Sequence, residues 1–89
     1  MARVEMAGAE TASMAGTAMD GRAFLDLGIM YSVGRSVPVD RIEAHKWLNI
    51  AAARGCREAI ALRSELAAEM SPAEIAAAQR NARLWLSLH

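Results

Sequence analysis

The feature that most constrains the fold is a series of helix start and stop signals along the last three quarters of the sequence. Asp40 and Ser71 can each accept hydrogen bonds from the first free amides of a helix. Gly34 and Gly55 follow segments of helical period and can adopt the positive φ that ends a helix. Only short helices joined by short loops fit between these signals. The sequence therefore predicts an all-α fold, a helical hairpin arrangement with about four helices.

Composition supports this prediction and sets the domain limits. The chain is 54% hydrophobic but only 4% aromatic, so its apolar residues are largely helix formers such as Ala and Leu. Its 89 residues provide one modest core, assigned to a single domain over 20–89. Residues 1–19 mix small residues with Gly, Ser and Thr without an apolar stripe, which indicates a flexible tail. Met1, Met14 and Met19 are alternative initiators, which mass spectrometry of the N-terminal peptide would distinguish.

Each predicted helix has one apolar face with helical spacing. Asp20 is expected to cap the first helix. Gly28 lies in the middle of that helix, where glycine costs about 1 kcal/mol relative to Ala, so we expect a neighbouring helix to pass very close there. The four predicted inner faces comprise Phe24, Leu27, Gly28 and Tyr31; Ala44, Trp47, Leu48, Ala51 and Ala52; Ala59, Leu62, Leu66 and Met70; and Ile75, Ala78, Ala82, Trp85 and Leu86.

Two tetrapeptides have the spacing of a capping box, in which side chain and backbone satisfy each other at a helix start. Asp40 and Glu43 have this spacing before the second helix. Ser71 and Glu74 have it before the fourth, with Pro72 at the favoured first helical position. Both acidic pairs are therefore interpreted as caps and not as catalytic carboxylates.

A wider motif extends from the first helix to the end of the second. It joins a Leu-Gly pair and a tyrosine, a Gly-Arg-x-Val-Pro-x-x-Asp connection, and Ala-x-x-Trp followed by Ala-Ala-x-x-Gly. This combination resembles one complete Sel-one-like repeat, a helical-hairpin relative of the tetratricopeptide repeat. The residues that carry the resemblance are Leu27, Gly28, Tyr31, Gly34, Asp40, Ala44, Trp47, Ala51, Ala52 and Gly55.

The resemblance implies a solenoid-type hairpin and an adaptor function, and the sequence departs from it at two places. Ser36 replaces the second glycine that is usual in the connecting loop. After the hairpin, Ala59 begins a second repeat, but Ser64 and Ala67 stand where the glycine and tyrosine should recur. The last two helices are therefore predicted to form a terminal cap, with Arg80 and Arg83 outward and Trp85 inward.

The residues whose side chains could take part in catalysis or bind a metal do not form a catalytic pattern. His45 and His89 have no ligand or acid-base partner at helical spacing and are predicted to be exposed. Cys56 is the only cysteine; it lies at a helix start, where a thiol can become reactive, but a structural role at a loop boundary is favoured over thiol-based regulation. Gly34-Arg35-Ser36 lacks the lysine of a phosphate-binding loop. We expect no enzyme activity, no cofactor and no metal.

Charge and hydropathy narrow the choice of partners. Ten basic residues balance ten acidic ones, which disfavours nucleic acid even though Arg80 and Arg83 could touch phosphate. The sequence contains neither a signal-peptide core nor an uncharged apolar run of about eighteen residues, so no membrane association is predicted. The single cysteine suits a reducing compartment, and the predicted location is cytoplasmic.

Protein-protein interaction is the predicted function, through a groove that takes a partner's helix or extended peptide. Tyr31 and Trp47 are expected to anchor the structure, and small side chains at Ala44, Ala51 and Ala59 to let a partner come close. The predicted partner-facing polar residues are Arg35, Lys46 and Arg54. Met30 and Met70 fit either an adaptable binding surface or core filling. Homodimerisation through the uncovered apolar face is the alternative.

Overall fold

A computed structural model describes residues 21–89 and contains four α-helices and no strand in that part of the chain. The helices are α1 (residues 21–33), α2 (Arg41–Ala53), α3 (Glu58–Ala67) and α4 (Pro72–Leu88). The all-α class and the number of helices are confirmed. The predicted tail, the Asp20 cap and the alternative initiators lie outside the described residues.

The helix starts form largely as the sequence predicts. Asp40 is extended and its side chain accepts a hydrogen bond from Glu43 N at 3.0 Å. The second hydrogen bond of this predicted capping box, from Asp40 N–H to the Glu43 side chain, does not form. The Glu43 carboxylate pairs with Lys46 Nζ at 2.9 Å instead. The box before α4 is complete: Glu74 N donates to Ser71 Oγ at 3.1 Å, and Ser71 N donates to Glu74 Oε1 at 2.8 Å.

The end of α2 has the hydrogen-bond pattern of a glycine-terminated helix. Gly55 has φ +93°, and its N–H donates to Ala52 O at 3.0 Å. The next amide, Cys56 N–H, donates to Ala51 O at 2.9 Å. This pair of bonds satisfies two carbonyls that would otherwise have no partner and directs the chain into α3.

The connection between α1 and α2 is a tight loop with two positive φ angles. Gly34 has φ +78° and donates to Met30 O at 2.9 Å, which closes α1. Ser36 has φ +71°, a region that is costly for a residue with a side chain. The residue that departs from the repeat pattern thus occupies a conformation that suits glycine. Asp40 N–H then donates to Tyr31 O at 3.0 Å and ties the two helices together.

The close approach predicted at Gly28 is confirmed. A Cβ atom added there would lie 2.6 Å from Leu48 Cδ2, 2.8 Å from Leu48 Cγ and 3.3 Å from Ala44 O. Leu48 is itself buried, with only 2% of its surface exposed. The absence of a side chain at this position therefore lets α1 lie directly on α2.

The core is built around α2, which packs against both α3 and α4. Most of the core residues belong to the predicted inner faces, and Met70 is buried as core filling would require. The main cluster of buried residues consists of Leu25, Ala44, Leu48, Ala51, Ala59, Leu66, Met70 and Ala78.

The buried face of α1 differs from the prediction. Leu25 is only 3% exposed, whereas the predicted Phe24, Leu27 and Tyr31 are half-buried. The face is shifted because α1 is covered on more than one side: Leu48 of α2 lies against Gly28, and Trp85 of α4 contacts Phe24. The buried surface of α1 is therefore wider than the one face that helical spacing predicts.

The predicted exposure of His45 is wrong, since its side chain is only 2% exposed. Ile50, which the predicted inner face omits, is also fully buried. Both residues lie outside the α2 stripe because α2 has helices on several sides. His89 is exposed, as predicted.

Candidate protein-interaction groove

An open groove of about 340 Å³ lies between α1 and α3, with α2 as its floor. Ile29 and Val33 project from α1 one turn apart, and Leu62 and Leu66 do the same from α3. The close contact of α1 with α2 at Gly28 brings these two aliphatic pairs to the same surface. The lining consists of Ile29, Ser32, Val33, Leu48, Leu62, Glu65, Leu66 and Glu69.

One edge of the groove is acidic. Glu65 and Glu69 lie four residues apart on α3, and both are exposed. Glu69 Oε1 lies 3.5 Å from Arg41 Nε, an exposed pair of the kind that contributes about 0–1 kcal/mol. Glu65 forms no ion pair with any residue in 21–89, and none of the lining residues is basic. The groove is thus aliphatic with a negative rim.

Val33 is the lining residue with the most exposed apolar surface. Its side chain is 63% exposed at the end of α1. Complete burial of a valine contributes about 1.5–3 kcal/mol, so covering the exposed part would contribute about 1 kcal/mol. A partner that covers Val33 would therefore gain binding free energy from surface that is already exposed.

A separate aromatic cluster, none of whose residues lines the groove, is formed by Phe24, Trp47 and Trp85. The rings of Phe24 and Trp47 stack with centroids 5.5 Å apart, and Trp85 meets them edge-on at 5.1 and 5.6 Å. Such pairs contribute about 0.5–1.5 kcal/mol each beyond the burial of their area. The cluster joins α1, α2 and α4, and Trp47 Nε1 is buried there without a hydrogen-bond partner among residues 21–89.

Two of the predicted partner-facing residues contact this cluster. Lys46 Nζ lies 4.1 Å from the centroid of the Trp47 ring. Arg54 Cζ lies 5.7 Å from the centroid of Trp85 and 6.0 Å from that of Phe24. Arg35, the third, is exposed in the loop after α1. The structure does not bring the three residues together, and none of them lines the groove.

Small side chains at the helix contacts are not available to a partner. Ala44, Ala51 and Ala59 are 0% exposed, so the expectation that they admit a partner is wrong. They lie in the main core cluster, and the close approach they permit is between the helices of this chain.

The residues of the repeat pattern occupy caps, turns and helix contacts. Asp40 is a cap, Gly34 and Gly55 have positive φ, and Gly28 is the close contact described above. Tyr31 is half-buried against the core cluster. The remaining residues are buried in α2 or partly buried beside it: Leu27, Ala44, Trp47, Ala51 and Ala52.

A polar chain that the sequence prediction missed crosses from α2 to α3. Asn49 Nδ2 donates to His45 Nδ1 at 2.9 Å, and Arg63 Nη1 donates to Asn49 Oδ1 at 2.8 Å. Burial, with a smaller contribution from the Arg63 charge, lowers the pKa of His45 below its ordinary value. The imidazole is therefore neutral and accepts the hydrogen bond from Asn49, which orients the Asn49 carbonyl toward Arg63. The spacing of His45 and Asn49, four residues apart on one helix, was the signal available in the sequence.

Cys56 is half-buried beside the core, and its Sγ lies 3.7 Å from Glu58 Oε1. No histidine lines the hollow beside Cys56 among residues 21–89. His45 bonds to Asn49, and His89 stacks on Trp85 with centroids 4.1 Å apart. Across residues 21–89 no group of three or more His, Cys, Asp or Glu side chains could hold a metal ion. No helix in this range is long and apolar enough to cross a membrane.

Comparison with known proteins does not identify the family. No protein-family model matches the chain, and no curated protein or solved structure matches it. The resemblance to a Sel-one-like repeat therefore stays a prediction from the residue pattern.

Proposed function

We propose that this chain is a non-catalytic protein-interaction module that binds an apolar segment of a partner in the groove between α1 and α3. The observation that carries the proposal is an open aliphatic surface beside a compact core, with an acidic rim that has no basic counterpart in the groove lining. Burying this surface would provide the binding free energy, and the rim would select the partner's charge.

The residue pattern adds support for an adaptor. Sel-one-like proteins generally act as adaptors, and the proposed hairpin of α1 and α2 contains the glycine contact and loop geometry that such a repeat needs. Under this proposal the aliphatic pair on α1 belongs to the repeat hairpin, and the pair on α3 belongs to the terminal cap that follows it. A cytoplasmic location is part of the proposal, because the lone Cys56 is a free thiol.

Capture from the native host with paired valine variants tests the proposal. Val33 lines the groove and is 63% exposed, whereas Val39 is 52% exposed and does not line it. A partner of the groove should be enriched on the wild-type chain, lost on Val33→Glu and retained on Val39→Glu. Circular dichroism should show that both variants remain folded, because neither side chain is buried.

The proposal fails if the proteins captured by the wild-type chain are retained equally by Val33→Glu. It also fails if no protein is enriched over an unrelated helical domain of similar size. Where a partner is captured, site-specific photo-crosslinking from position 33, with position 39 as the control, would test directly whether it contacts the groove.

A further inference from the structure

The outer face of α4 has the properties that the groove requires of a ligand. Leu84 and Leu88 lie one turn apart and are 60% and 72% exposed. Arg80 precedes them with the same four-residue spacing, so the three side chains share one strip of the helix. Arg83 lies beside this strip, and both arginines are exposed. The face is thus an aliphatic pair flanked by two cations.

The groove offers the complementary arrangement. Its floor is aliphatic, and its rim holds Glu65 and Glu69 one turn apart. Glu69 already pairs with Arg41, but that pair is exposed and therefore weak, so the rim keeps its negative character. The two surfaces are therefore both apolar, and their flanking charges are opposite in sign. With ten basic and ten acidic residues, the chain also has no net charge to oppose association with itself.

The two surfaces belong to different parts of the fold. The groove is lined by residues of α1, α2 and α3 and by none of α4. Leu84 and Leu88 border a separate hollow with Lys46, Asn81 and Trp85. An α4 helix that fills the groove must therefore come from another molecule.

We propose that α4 of a second copy of this chain occupies the groove, with its two leucines on the aliphatic floor and Arg80 and Arg83 at the acidic rim. This inference rests on the proposed function of the groove as a binding surface for an apolar helix. Each copy carries both surfaces, so the contact joins unlike patches of two molecules. Charge complementarity fixes which helix is accepted and in which direction.

Sedimentation of the full chain at increasing concentration tests the proposal. The average mass should rise above that of the monomer between about 10 μM and about 1 mM, the range in which a small interface associates. Glu65→Arg with Glu69→Arg and, separately, Arg80→Glu with Arg83→Glu should each return the chain to a monomer. An equimolar mixture of these two double variants should associate again, since each rim then meets the opposite charge.

A matched control separates this contact from general charge effects. Arg35 and Arg57 are exposed and lie outside both surfaces, and reversing both changes the net charge by the same amount as reversing Arg80 and Arg83. This control should associate like the wild-type chain. Leu84→Ser with Leu88→Ser removes the apolar half of the α4 face without a charge change and should also give a monomer.

A wild-type chain that stays monomeric at about 1 mM would overturn this inference, as would a mixture of the two charge variants that stays monomeric. In either case, a partner captured through Val33 would still support the proposed function of the groove. If Val33→Glu changes neither self-association nor capture, both the groove and its occupant are rejected.

Discussion

The aromatic side of the molecule and the groove side are both apolar, yet the three rings of the first are packed against one another and the aliphatic pairs of the second are held apart. On the aromatic side, three rings contact one another and two cations lie over them. On the groove side, aliphatic pairs from α1 and α3 face each other across about 340 Å³ of space. The difference shows that apolar content alone does not determine which of the two surfaces is covered within the chain. What separates them is whether another helix of the same chain reaches the surface.

The largest stability loss should come from the aromatic side. Trp47→Ala removes the ring that stacks on Phe24 and should lower the free energy of unfolding by about 3 kcal/mol in chemical denaturation. Trp47→Phe is the matched control. Because the buried Nε1 has no hydrogen-bond partner among the described residues, this change should cost less than about 1 kcal/mol. Equal losses for Ala and Phe would contradict the packing explanation.

The contact beneath the groove should be nearly as sensitive. Gly28→Leu forces side-chain atoms into Leu48 and should cost about 2 kcal/mol, measured by thermal or chemical unfolding. Asp26 is exposed on the same helix, and Asp26→Leu tests whether an added leucine is harmful in itself. Unchanged stability for Gly28→Leu would mean that α1 does not lie directly on α2.

The burial of His45 should make the free energy of unfolding decrease at acidic pH. Because the pKa of His45 is lowered in the folded chain, the unfolded chain takes up a proton first, at about pH 6.5. Stability should therefore be constant above this pH and decrease below it until the folded-state pKa is reached, by at most about 1.4 kcal/mol per pH unit.

Unfolding measured from pH 7 to pH 5 should show this slope in the wild-type chain and a smaller one in His45→Gln. His89→Gln provides the control, since that imidazole is exposed. A slope that persists in His45→Gln but disappears in His89→Gln would reject the assignment.

A substitution in the loop between α1 and α2 should raise the stability of the chain. Ser36 has φ +71°, so Ser36→Gly relieves a conformation that costs a residue with a side chain about 1 kcal/mol and should raise stability by about that amount. Ser64→Gly, in the exposed face of α3, should lower stability instead. Differential scanning calorimetry of the two variants would show shifts of opposite sign.

The smallest effect should come from the groove itself. Val33→Glu should change the free energy of unfolding by less than about 0.5 kcal/mol, because the side chain is mostly exposed, while it removes binding to the groove. A large loss of stability would mean that Val33 is part of the core. The groove would then not differ from the aromatic side in being open.

Local signals in the sequence were the most informative. The cap at Asp40, the complete box at Ser71 and Glu74, and the turn at Gly55 involve residues within five positions of one another, so spacing alone predicts them. Gly28 was predictable too, because an unfavourable residue in a strong helix indicates a tight contact.

Features that depend on distant helices were missed. His45 is buried because α2 is covered on several sides, and its polar chain ends on Arg63, fourteen residues beyond Asn49. The groove depends on the separation of α1 and α3, which no spacing within one helix specifies. That Lys46 and Arg54 face a partner stays a prediction. Lys46 lies over its sequence neighbour Trp47, whereas Arg54 lies over Trp85, a contact that forms only when α2 and α4 have packed.

The grouping of both tryptophans in one place has an optical consequence. Trp47 and Trp85 are 5.6 Å apart, and neither lines the groove. An α4 helix from a second copy would bring its own Trp85 beside the groove and alter the intrinsic emission. With a partner segment that lacks tryptophan, the emission will follow the joining of α1, α2 and α4 and will change little when that segment enters between α1 and α3. A reporter dye attached near the acidic rim would follow the second event, so the two sides of the molecule can be observed independently in one sample.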